Sequence, residues 1–445
     1  MNLLERSLER LLAPLEAASL PLDVSGTAAE RPTWLLASGW RVFARPRTPS
    51  NSGEEIETFA LASGRRLSAF WDVDAGRLSL PFDLQEAHEN LVSERWRSDM
   101  KTKQLTAAQL DLFYRVKRFI PRNWQLLGRR ALIRWQGRPN FPRWPYEDSG
   151  AHLLWFYARC LLLTRQEDEV RFRWFWPDGM QAAVVLTHDV ESADGLRLAL
   201  QLADLEQERG FRSSFNIVAR SYPRDQGILN ELSSRGFELG VHGVYHDRSM
   251  FSSRDAFEEQ LAAVRVAAQE LGASGFRSPA THRVFGWLAE LPLEYDCSVP
   301  HSDPFEPQPG GCCTCWPFFV GSVVELPYTM PQDHTLFTLL RNTSIDLWLE
   351  QMERLIQRSG LIQAVTHPDP GYLGDREKRA LYADFLDAVS ERQGLWRALP
   401  RDVAHWWKQR DEGRNGRWGI VAGSIRATGD GEVSLRPTDT EVAES

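Results

Sequence analysis

The stretch AAVVLTHDVE, residues 182–191, is an apolar run that ends in a histidine and two carboxylates. Its apolar part is typical of a buried β-strand. His188, Asp189 and Glu191 are instead groups that cost free energy when they are buried without partners. A strand that delivers three such groups at its end indicates a functional site, and we expect neighbouring strands to contribute to it.

Short apolar segments and amphipathic stretches alternate from about residue 171 onward. The strand candidates are AAVVLTH (182–188), RSSFNIV (212–218), FELGVHG (237–243), GFRSP (275–279), VVELP (323–327) and LIQAVTH (361–367). Strands that alternate with amphipathic helices predict βα units with parallel strands. We therefore expect an α/β fold, a distorted (β/α) barrel of about seven repeats, with its chemistry at the C-terminal ends of the strands.

The first part of the chain differs in pattern from the barrel segment. Strand-like runs separated by Gly, Pro and Asp turns occupy residues 30–46 and 56–83. We expect three parts: a mixed α+β N-terminal accessory region over 1–170, the barrel over 171–410, and a mobile tail over 411–445 with at most a hairpin at its Gly-Asp-Gly turn.

The composition is that of an ordinary soluble globular protein, with 25% charged and 42% hydrophobic residues. The net charge of −8 gives no support for a general nucleic-acid binder, which would carry a basic surplus. No run approaches the roughly 18 apolar residues of a transmembrane helix, and the amphipathic N-terminus lacks the apolar core of a secretory signal. We therefore expect a cytoplasmic protein whose five cysteines stay reduced.

Two histidines follow a strand in the segment HGVYH, residues 242–246. Their spacing would place His242 and His246 on one side of a single helical turn. Neutral imidazoles suit Zn²⁺ and related divalent ions, and a carboxylate can complete a set of three ligands. An HxxxH pattern is common on protein surfaces, but its position at a strand end favours a metal site.

The remaining polar groups are those needed for metal-assisted hydrolysis of an amide or ester. One carboxylate can bind the cation while the other takes a proton from water. Arg277 could orient that base and hold it ionised. His367 could protonate the departing group, and a backbone N–H near Ala280 could stabilise the oxyanion. The structural alternative is that Asp189 and Glu191 cap the helix that follows them.

The segments THDVE, HGVYH, RSP and VTHP, in this order at successive strand ends, resemble the motifs of the polysaccharide deacetylases, carbohydrate esterase family 4. The resemblance implies a distorted (β/α) barrel with a His-His-Asp divalent site and the removal of N- or O-acetyl groups from glycans. It implies that Asp189 is the catalytic base and that Arg277 tunes it. His242 and His246 would then bind the metal, and His367 would be the general acid.

The chain departs from the family pattern in the first motif. The family usually has two adjacent aspartates, whereas here Val190 separates Asp189 from Glu191. This arrangement resembles the DxE branch of the family, in which the residue two positions after the base completes the metal site. We therefore expect Glu191 to be the carboxylate ligand. If it is not, Asp189 binds the metal and the base comes from elsewhere.

The expected protein is a metal-dependent hydrolase that removes an N-acetyl or O-acetyl group from a glycan or a sugar-containing intermediate. Its cofactor would be one divalent ion, with Zn²⁺ preferred and Co²⁺, Ni²⁺ or Mn²⁺ as alternatives. Trp316, Tyr328 and His334 could line a sugar groove or belong to the core. Two other functions fit: an amidohydrolase or deformylase on the same barrel with a non-glycan substrate, and a metal-containing binding protein without catalytic activity.

His188 is expected to point away from Asp189, because neighbouring residues of a strand face opposite sides of the sheet. It would then support the site from behind and not bind the ion. Asp247 follows the second histidine directly, and we expect it either to hydrogen-bond a histidine ring or to stabilise a turn.

Overall fold

Helices and strands alternate along most of the chain in the computed structural model, which describes residues 4–15, 20–23, 26–99, 124, 127–131, 140–414, 416–427 and 433–441. The strands are Thr33–Leu36 (β1), Arg41–Ala44 (β2), Glu54–Leu61 (β3), Arg66–Asp72 (β4), Arg77–Ser79 (β5), Glu169–Arg173 (β6), Ala182–Val190 (β7), Ser214–Ile217 (β8), Glu238–Val241 (β9), Gly275–Phe276 (β10), Tyr295–Asp296 (β11), Phe318–Val320 (β12), Val323–Glu325 (β13), Leu361–Thr366 (β14), Leu395–Arg397 (β15), Val421–Ala427 (β16) and Val433–Glu441 (β17). The α-helices are Ser7–Leu12 (α1), Leu84–Val92 (α2), Ser149–Arg165 (α3), Ala193–Glu208 (α4), Gln226–Ser234 (α5), Arg254–Leu271 (α6), Phe285–Leu288 (α7), Asp346–Gln357 (α8), Arg376–Ser390 (α9) and Pro400–Glu412 (α10). A π-helical turn spans His334–Leu339.

The main sheet contains all six strands that the sequence predicts in the second half of the chain. Its order is β12-β13-β11-β10-β9-β8-β7-β14, with β15 also paired to β7. Every pairing is parallel except that of β12 with β13. Because parallel strands end at the same edge, Asp189, His242, Arg277 and His367 come to one rim of the sheet.

The sheet is curled, and its strand path is open between β14 and the β12–β13 hairpin. The segment after β13 spans this gap, since the backbone N–H groups of Thr329 and Met330 both donate to the carbonyl of Gln363 in β14, at 3.2 and 3.1 Å. The predicted α/β class is confirmed. The distorted barrel of about seven repeats remains a prediction. Residues 297–317, between β11 and β12, form no helix.

The N-terminal region contains a second sheet, antiparallel, with the order β2-β1-β3-β4-β5. These strands coincide with the runs predicted over 30–83. Aromatic packing holds the sheet against α3: the ring centre of Phe59 lies 5.4 Å from that of Trp40, 5.0 Å from that of Phe82 and 5.8 Å from that of Phe156. The same buried core continues without a break into the main sheet.

The C-terminal segment forms two strands that flank the Gly-Asp-Gly turn, where the sequence predicts a tail with at most a hairpin. β16 pairs with β6 and β17 pairs with β16, which gives a three-stranded antiparallel sheet. The physical reason is apolar burial, since Ile425 is fully buried opposite Val170. Gly423 also lets β16 approach the ring of Phe172, because a Cβ at position 423 would lie 2.5 Å from that ring. The Gly-Asp-Gly turn lies outside the described residues.

Among the helices that the structure describes, none has both the length and the apolar character required to cross a bilayer. All five cysteines are free thiols and buried. Burial raises the pKa of the Cys160 thiol to about 12, so this group stays protonated at neutral pH.

Arg410, in α10, joins α1 to β6 and generates a stability prediction. Its guanidinium is fully buried and donates to the carbonyls of Leu11, Leu12 and Arg173 at 2.9, 3.2 and 2.8 Å. Burial lowers its pKa to about 9, which leaves it charged at neutral pH. Arg410→Leu leaves these carbonyls unpaired, and we expect the free energy of unfolding to fall by about 2–3 kcal/mol in urea titrations. Arg414→Leu, at an exposed position, is the control; equal stability of both variants would contradict the prediction.

Candidate active site

The end of β7 sends alternate side chains to the rim of the sheet. Thr187, Asp189 and Glu191 follow one another at every second position, so they share a face. His188 points the other way, as predicted: its Nδ1 lies 2.7 Å from Thr366 Oγ1 and its Nε2 lies 2.7 Å from Glu206 Oε1, deep in the protein. It is therefore a structural group behind the site.

Helix capping does not account for the two acids. The N-cap of α4 is Ser192, whose hydroxyl accepts a hydrogen bond from the N–H of Gly195 at 3.1 Å. Asp369 receives the backbone N–H of Glu191 at 3.0 Å and also contacts Ser192. The side chains of Asp189 and Glu191 remain available for other partners.

His242 and His246 come together in a bend, and the prediction of a helical turn is wrong. Residues 242–248 contain no helix, and Gly243 adopts φ 68° between the two histidines. This left-handed conformation, which glycine tolerates best, turns the chain back on itself. The ring centres of the histidines end 5.3 Å apart.

Glu191, His242 and His246 form a group whose potential ligand atoms all lie within 4.8 Å of one another. His246 Nε2 is 3.0 Å from Glu191 Oε1. His242 Nδ1 donates to the carbonyl of Arg277 at 3.0 Å, which leaves Nε2 as the nitrogen that can bind an ion. Two imidazoles and a carboxylate are a donor set that suits Zn²⁺ and similar ions.

The protonation states of His242 and Glu191 fit a cation. Burial lowers the pKa of His242 to about 4, although Asp189 opposes this, so the imidazole is neutral. Burial would raise the pKa of Glu191, but the charge and hydrogen bond of His246 outweigh it and hold that pKa well below the usual range. A neutral ring and an ionised carboxylate are the forms that bind metal.

Asp189 lies beside this group and is held by other partners. Asn216 Nδ2 donates to Asp189 Oδ1 at 2.8 Å, and Arg277 Nη1 lies 3.7 Å from Oδ2. His242 Nε2 is 4.0 Å from the same oxygen. Burial opposes ionisation of Asp189, but His242 and Arg277 outweigh it, and its pKa is lowered. Gly240 makes room for the amide, since a Cβ there would lie 2.2 Å from Asn216 Oδ1.

Two further acids lie behind Arg277. Asp296 and Glu325 are in register on β11 and β13, and both are fully buried. Burial raises the pKa of each carboxyl, and their mutual proximity raises that of Glu325 further. The charge of Arg277 acts against this rise in both carboxyls, so the two acids lie near the guanidinium that faces Asp189.

His367 approaches from β14 on the other side of the site. Its Nδ1 donates to Asp333 Oδ1 at 2.7 Å, its backbone N–H donates to Asp333 Oδ2 at 3.0 Å, and its Nε2 lies 3.7 Å from Glu191 Oε1. Burial would lower the pKa of His367, but the Asp333 carboxylate outweighs it and raises this pKa to about 10. The imidazole is thus charged at neutral pH.

Sequence reasoning missed Asp333 and Asn216. Asp333 directly precedes the π-helical turn, in the segment PQDH. A buried histidine that acts as a general acid needs a carboxylate on its other ring nitrogen, and this requirement could have pointed to Asp333. Asn216 occupies the middle of β8, where a polar side chain in an apolar strand was the signal.

The proposed groove residues have different surroundings. Trp316 is in the core and donates to the carbonyl of Ser359 at 2.9 Å. The ring of Tyr328 lies 5.6 Å from the guanidinium carbon of Arg277. The half-buried ring of His334 packs edge-on against Tyr372 at 5.7 Å. Asp247 stabilises a turn by accepting the N–H of Ser249 at 2.8 Å.

Solved structures that resemble this chain include a protein from Mycobacterium smegmatis named as a polysaccharide deacetylase, with a TM-score of 0.45 and 20% identity over 55% of this chain and 96% of that one. The neighbours are polysaccharide deacetylases and related enzymes. The Puue allantoinase has a TM-score of 0.41 and 14% identity over 52% of this chain and 92% of that one. The peptidoglycan deacetylase PdaC of Bacillus subtilis has a TM-score of 0.35 and 14% identity over 53% of this chain and 96% of that one.

No family model and no curated protein matches the sequence. Because the TM-scores lie below 0.5 and the identities are 20% or less, the chemistry of this site has to follow from its own residues.

The contact between Asp333 and His367 predicts a shift in pH dependence. Asp333→Asn removes the charge that raises the pKa of His367, so the imidazole loses its proton at lower pH. If His367 donates a proton during turnover, the alkaline limb of the kcat profile should move to lower pH by at least about one unit. Asp387→Asn, at a surface ion pair with Arg209, is the control. An unchanged alkaline limb in Asp333→Asn would argue that His367 does not act as the acid.

Proposed function

We propose that the protein is a metal-dependent hydrolase that removes an N-acetyl or O-acetyl group from a glycan or a sugar-containing intermediate. The observation that carries the proposal is the group of Glu191, His242 and His246, whose ligand atoms lie within 4.8 Å of one another. Asp189 remains beside this group as a separate ionised carboxylate. A site with three ligands and a free base is the arrangement expected of metal-assisted hydrolysis.

Glu191, His242 and His246 would hold the ion. When bound, a divalent ion polarises a carbonyl and lowers the pKa of water. Zn²⁺ is the preferred occupant, since it favours two imidazoles with one carboxylate, and Co²⁺, Ni²⁺ and Mn²⁺ suit the same donors.

Asp189 is proposed as the general base. Its Oδ1 is occupied by the Asn216 amide at 2.8 Å, so Oδ2, which faces His242, is the oxygen that accepts the proton from the attacking water. Arg277 at 3.7 Å keeps the carboxylate ionised before the reaction. Its buried charge also orients the carboxylate relative to the ligands.

His367 is proposed as the general acid. Its Nδ1–H is held by Asp333, so the proton on Nε2, which faces Glu191 at 3.7 Å, is the one that can pass to the leaving nitrogen or oxygen. A pKa raised to about 10 by Asp333 keeps this proton in place at neutral pH. Base and acid thus approach the ligand group from different strands, β7 and β14.

Two observations support a sugar as the carrier of the acetyl group. The motifs THDVE, HGVYH, RSP and VTHP resemble those of polysaccharide deacetylases. The ring of Tyr372 lies 4.8 Å from that of His367, and His334 packs on Tyr372. Half-buried aromatic faces beside the proposed acid provide apolar surface against which a sugar ring can pack.

Substrate class can be tested with an acyl-release panel. The purified protein, loaded with Zn²⁺, should release acetate from N-acetylglucosamine oligomers, nucleotide sugars or lipid-linked sugars, and chelation should stop the release. Hydrolysis confined to N-formyl or ureide compounds would favour a non-glycan amidohydrolase. Bound metal without hydrolysis of any compound would favour a binding protein.

Two substitutions separate the proposed roles. His242→Ala should lower Zn²⁺ affinity by at least about 10-fold and abolish turnover, because one of three ligands is lost. Asp189→Asn should keep Zn²⁺ affinity within a few-fold while kcat falls by about 10²–10⁴. Metal binding is measured by calorimetry, and His405→Ala, whose ring pairs with Glu294 at the surface, is the control. Retained turnover in Asp189→Asn would remove Asp189 from the role of base.

A further inference from the structure

The turn Pro279–Thr281 lies directly against the proposed metal ligands. The carbonyl of Arg277, two residues earlier, receives the His242 Nδ1 proton at 3.0 Å. The ring of Pro279 touches Gly243, since a Cβ on that glycine would lie 2.7 Å from Pro279 Cδ and Cγ. A displacement of this turn would therefore reach His242. The turn also includes Ala280, near which the sequence predicts a backbone N–H as the oxyanion donor.

The backbone of this turn has a conformation that is energetically unfavourable for its residues. Ala280 and Thr281 have φ values of 48° and 50°, in the left-handed region that favours glycine. Two consecutive residues of this kind persist only where surrounding contacts fix them. Something outside the turn must therefore hold it.

Arg283 is a buried side chain that contacts the turn from outside it. Its Nη1 donates to the carbonyl of Thr281 at 2.8 Å. Gln308 fixes the backbone of Arg283 from the other side, by accepting its N–H at 3.0 Å and donating to its carbonyl at 2.9 Å. Arg283 is 3% exposed, so its guanidinium requires a buried partner.

That partner comes from the N-terminal region. Glu94, just after α2, accepts two hydrogen bonds from Arg283, at 2.7 Å from Nε and 2.5 Å from Nη2. Burial would raise the pKa of Glu94, but Arg283 outweighs it and the pKa is lowered. Gly310 lies against the pair, since a Cβ there would be 2.2 Å from Glu94 Oε1. A bidentate pair fixes both the position and the angle of the guanidinium.

We infer that Glu94 is a positioning residue for the hydrolytic reaction: through Arg283 it fixes the turn Pro279–Thr281 against the metal ligands, and the N-terminal region thereby completes the active site. This inference rests on the proposed function. It gives residues 1–170 a role in turnover, which the sequence left open.

The test compares Glu94→Gln and Arg283→Met with the unmodified full-length protein loaded with Zn²⁺, with 4-nitrophenyl acetate as the substrate. We expect kcat to fall about 10- to 100-fold in each variant, because a small misplacement of catalytic groups costs this much. KM should stay within about two-fold, and Zn²⁺ affinity should fall less than in His242→Ala, since the turn contacts a ligand but no ligand is removed. The double variant should be no slower than the slower single variant, because both remove the same contact.

Asp411→Asn is the matched control. Asp411 accepts two hydrogen bonds from Arg10, at 2.9 and 2.6 Å, and so joins the same two parts of the chain without touching the turn. The kcat of the Asp411→Asn variant should be unchanged even if the urea concentration at its unfolding midpoint falls. Gln308→Ala loosens the same turn without leaving a buried charge unpaired, and it should lower kcat in the same direction if Glu94→Gln does not fold.

The outcomes separate the two proposals. An unmodified protein that hydrolyses neither 4-nitrophenyl acetate nor any compound of the acyl-release panel would overturn the proposed function and, with it, the role of Glu94. An active protein whose Glu94→Gln and Gln308→Ala variants keep kcat within two-fold would overturn the role of Glu94 alone. If kcat falls by the same factor in Glu94→Gln and in Asp411→Asn, the role of Glu94 is also overturned, because the effect would then follow from lost stability.

Discussion

Asp189 is a carboxylate that stays ionised while it is only 4% exposed to solvent, and the rest of the site is arranged around this constraint. A buried charge without compensation is expensive, so it has to be met by opposite charge and hydrogen bonds. Arg277 supplies the charge and Asn216 supplies a hydrogen bond. Arg277 is itself fully buried, and the pair Asp296 and Glu325 lies behind it. The base is thus the end of a chain of buried charges that runs across neighbouring strands.

Burial and the choice of hydrogen-bond partner give two histidines of the site opposite protonation states. His242 and His367 are both buried, which by itself favours the neutral ring. His242 donates to a carbonyl, which carries no full charge, and its pKa falls to about 4. His367 donates to the carboxylate of Asp333, and its pKa rises to about 10. One imidazole is thereby suited to bind a cation and the other to carry a proton, although the two side chains are chemically identical.

The N-terminal region and the main sheet share one core and also share polar contacts near the site. Glu94 reaches Arg283, and Glu147 donates its backbone N–H to His301 Nε2 at 2.9 Å. Both partners lie in loops that follow strands of the main sheet. Loops of this kind have few backbone hydrogen bonds of their own, so a neighbouring sheet can determine their conformation.

The sequence by itself determined the parallel α/β class and much of the candidate site. Strand periodicity is local, so alternation along β7 was sufficient to place Asp189 and Glu191 on one face and to turn His188 away. Parallel strands then brought His242 and His367 to the same rim. The helical turn predicted for His242 and His246 was wrong because Gly243 permits a tighter bend.

Only the tertiary structure decided which buried groups compensate one another. Asp333 holds His367 across 34 positions, and Glu94 holds Arg283 across 189. The strand β16, expected at most as one strand of a hairpin in the tail, also pairs with β6, more than two hundred residues away. Such partners leave no periodic signal, because a buried charge requires an opposite charge nearby in space and places no condition on its distance along the chain.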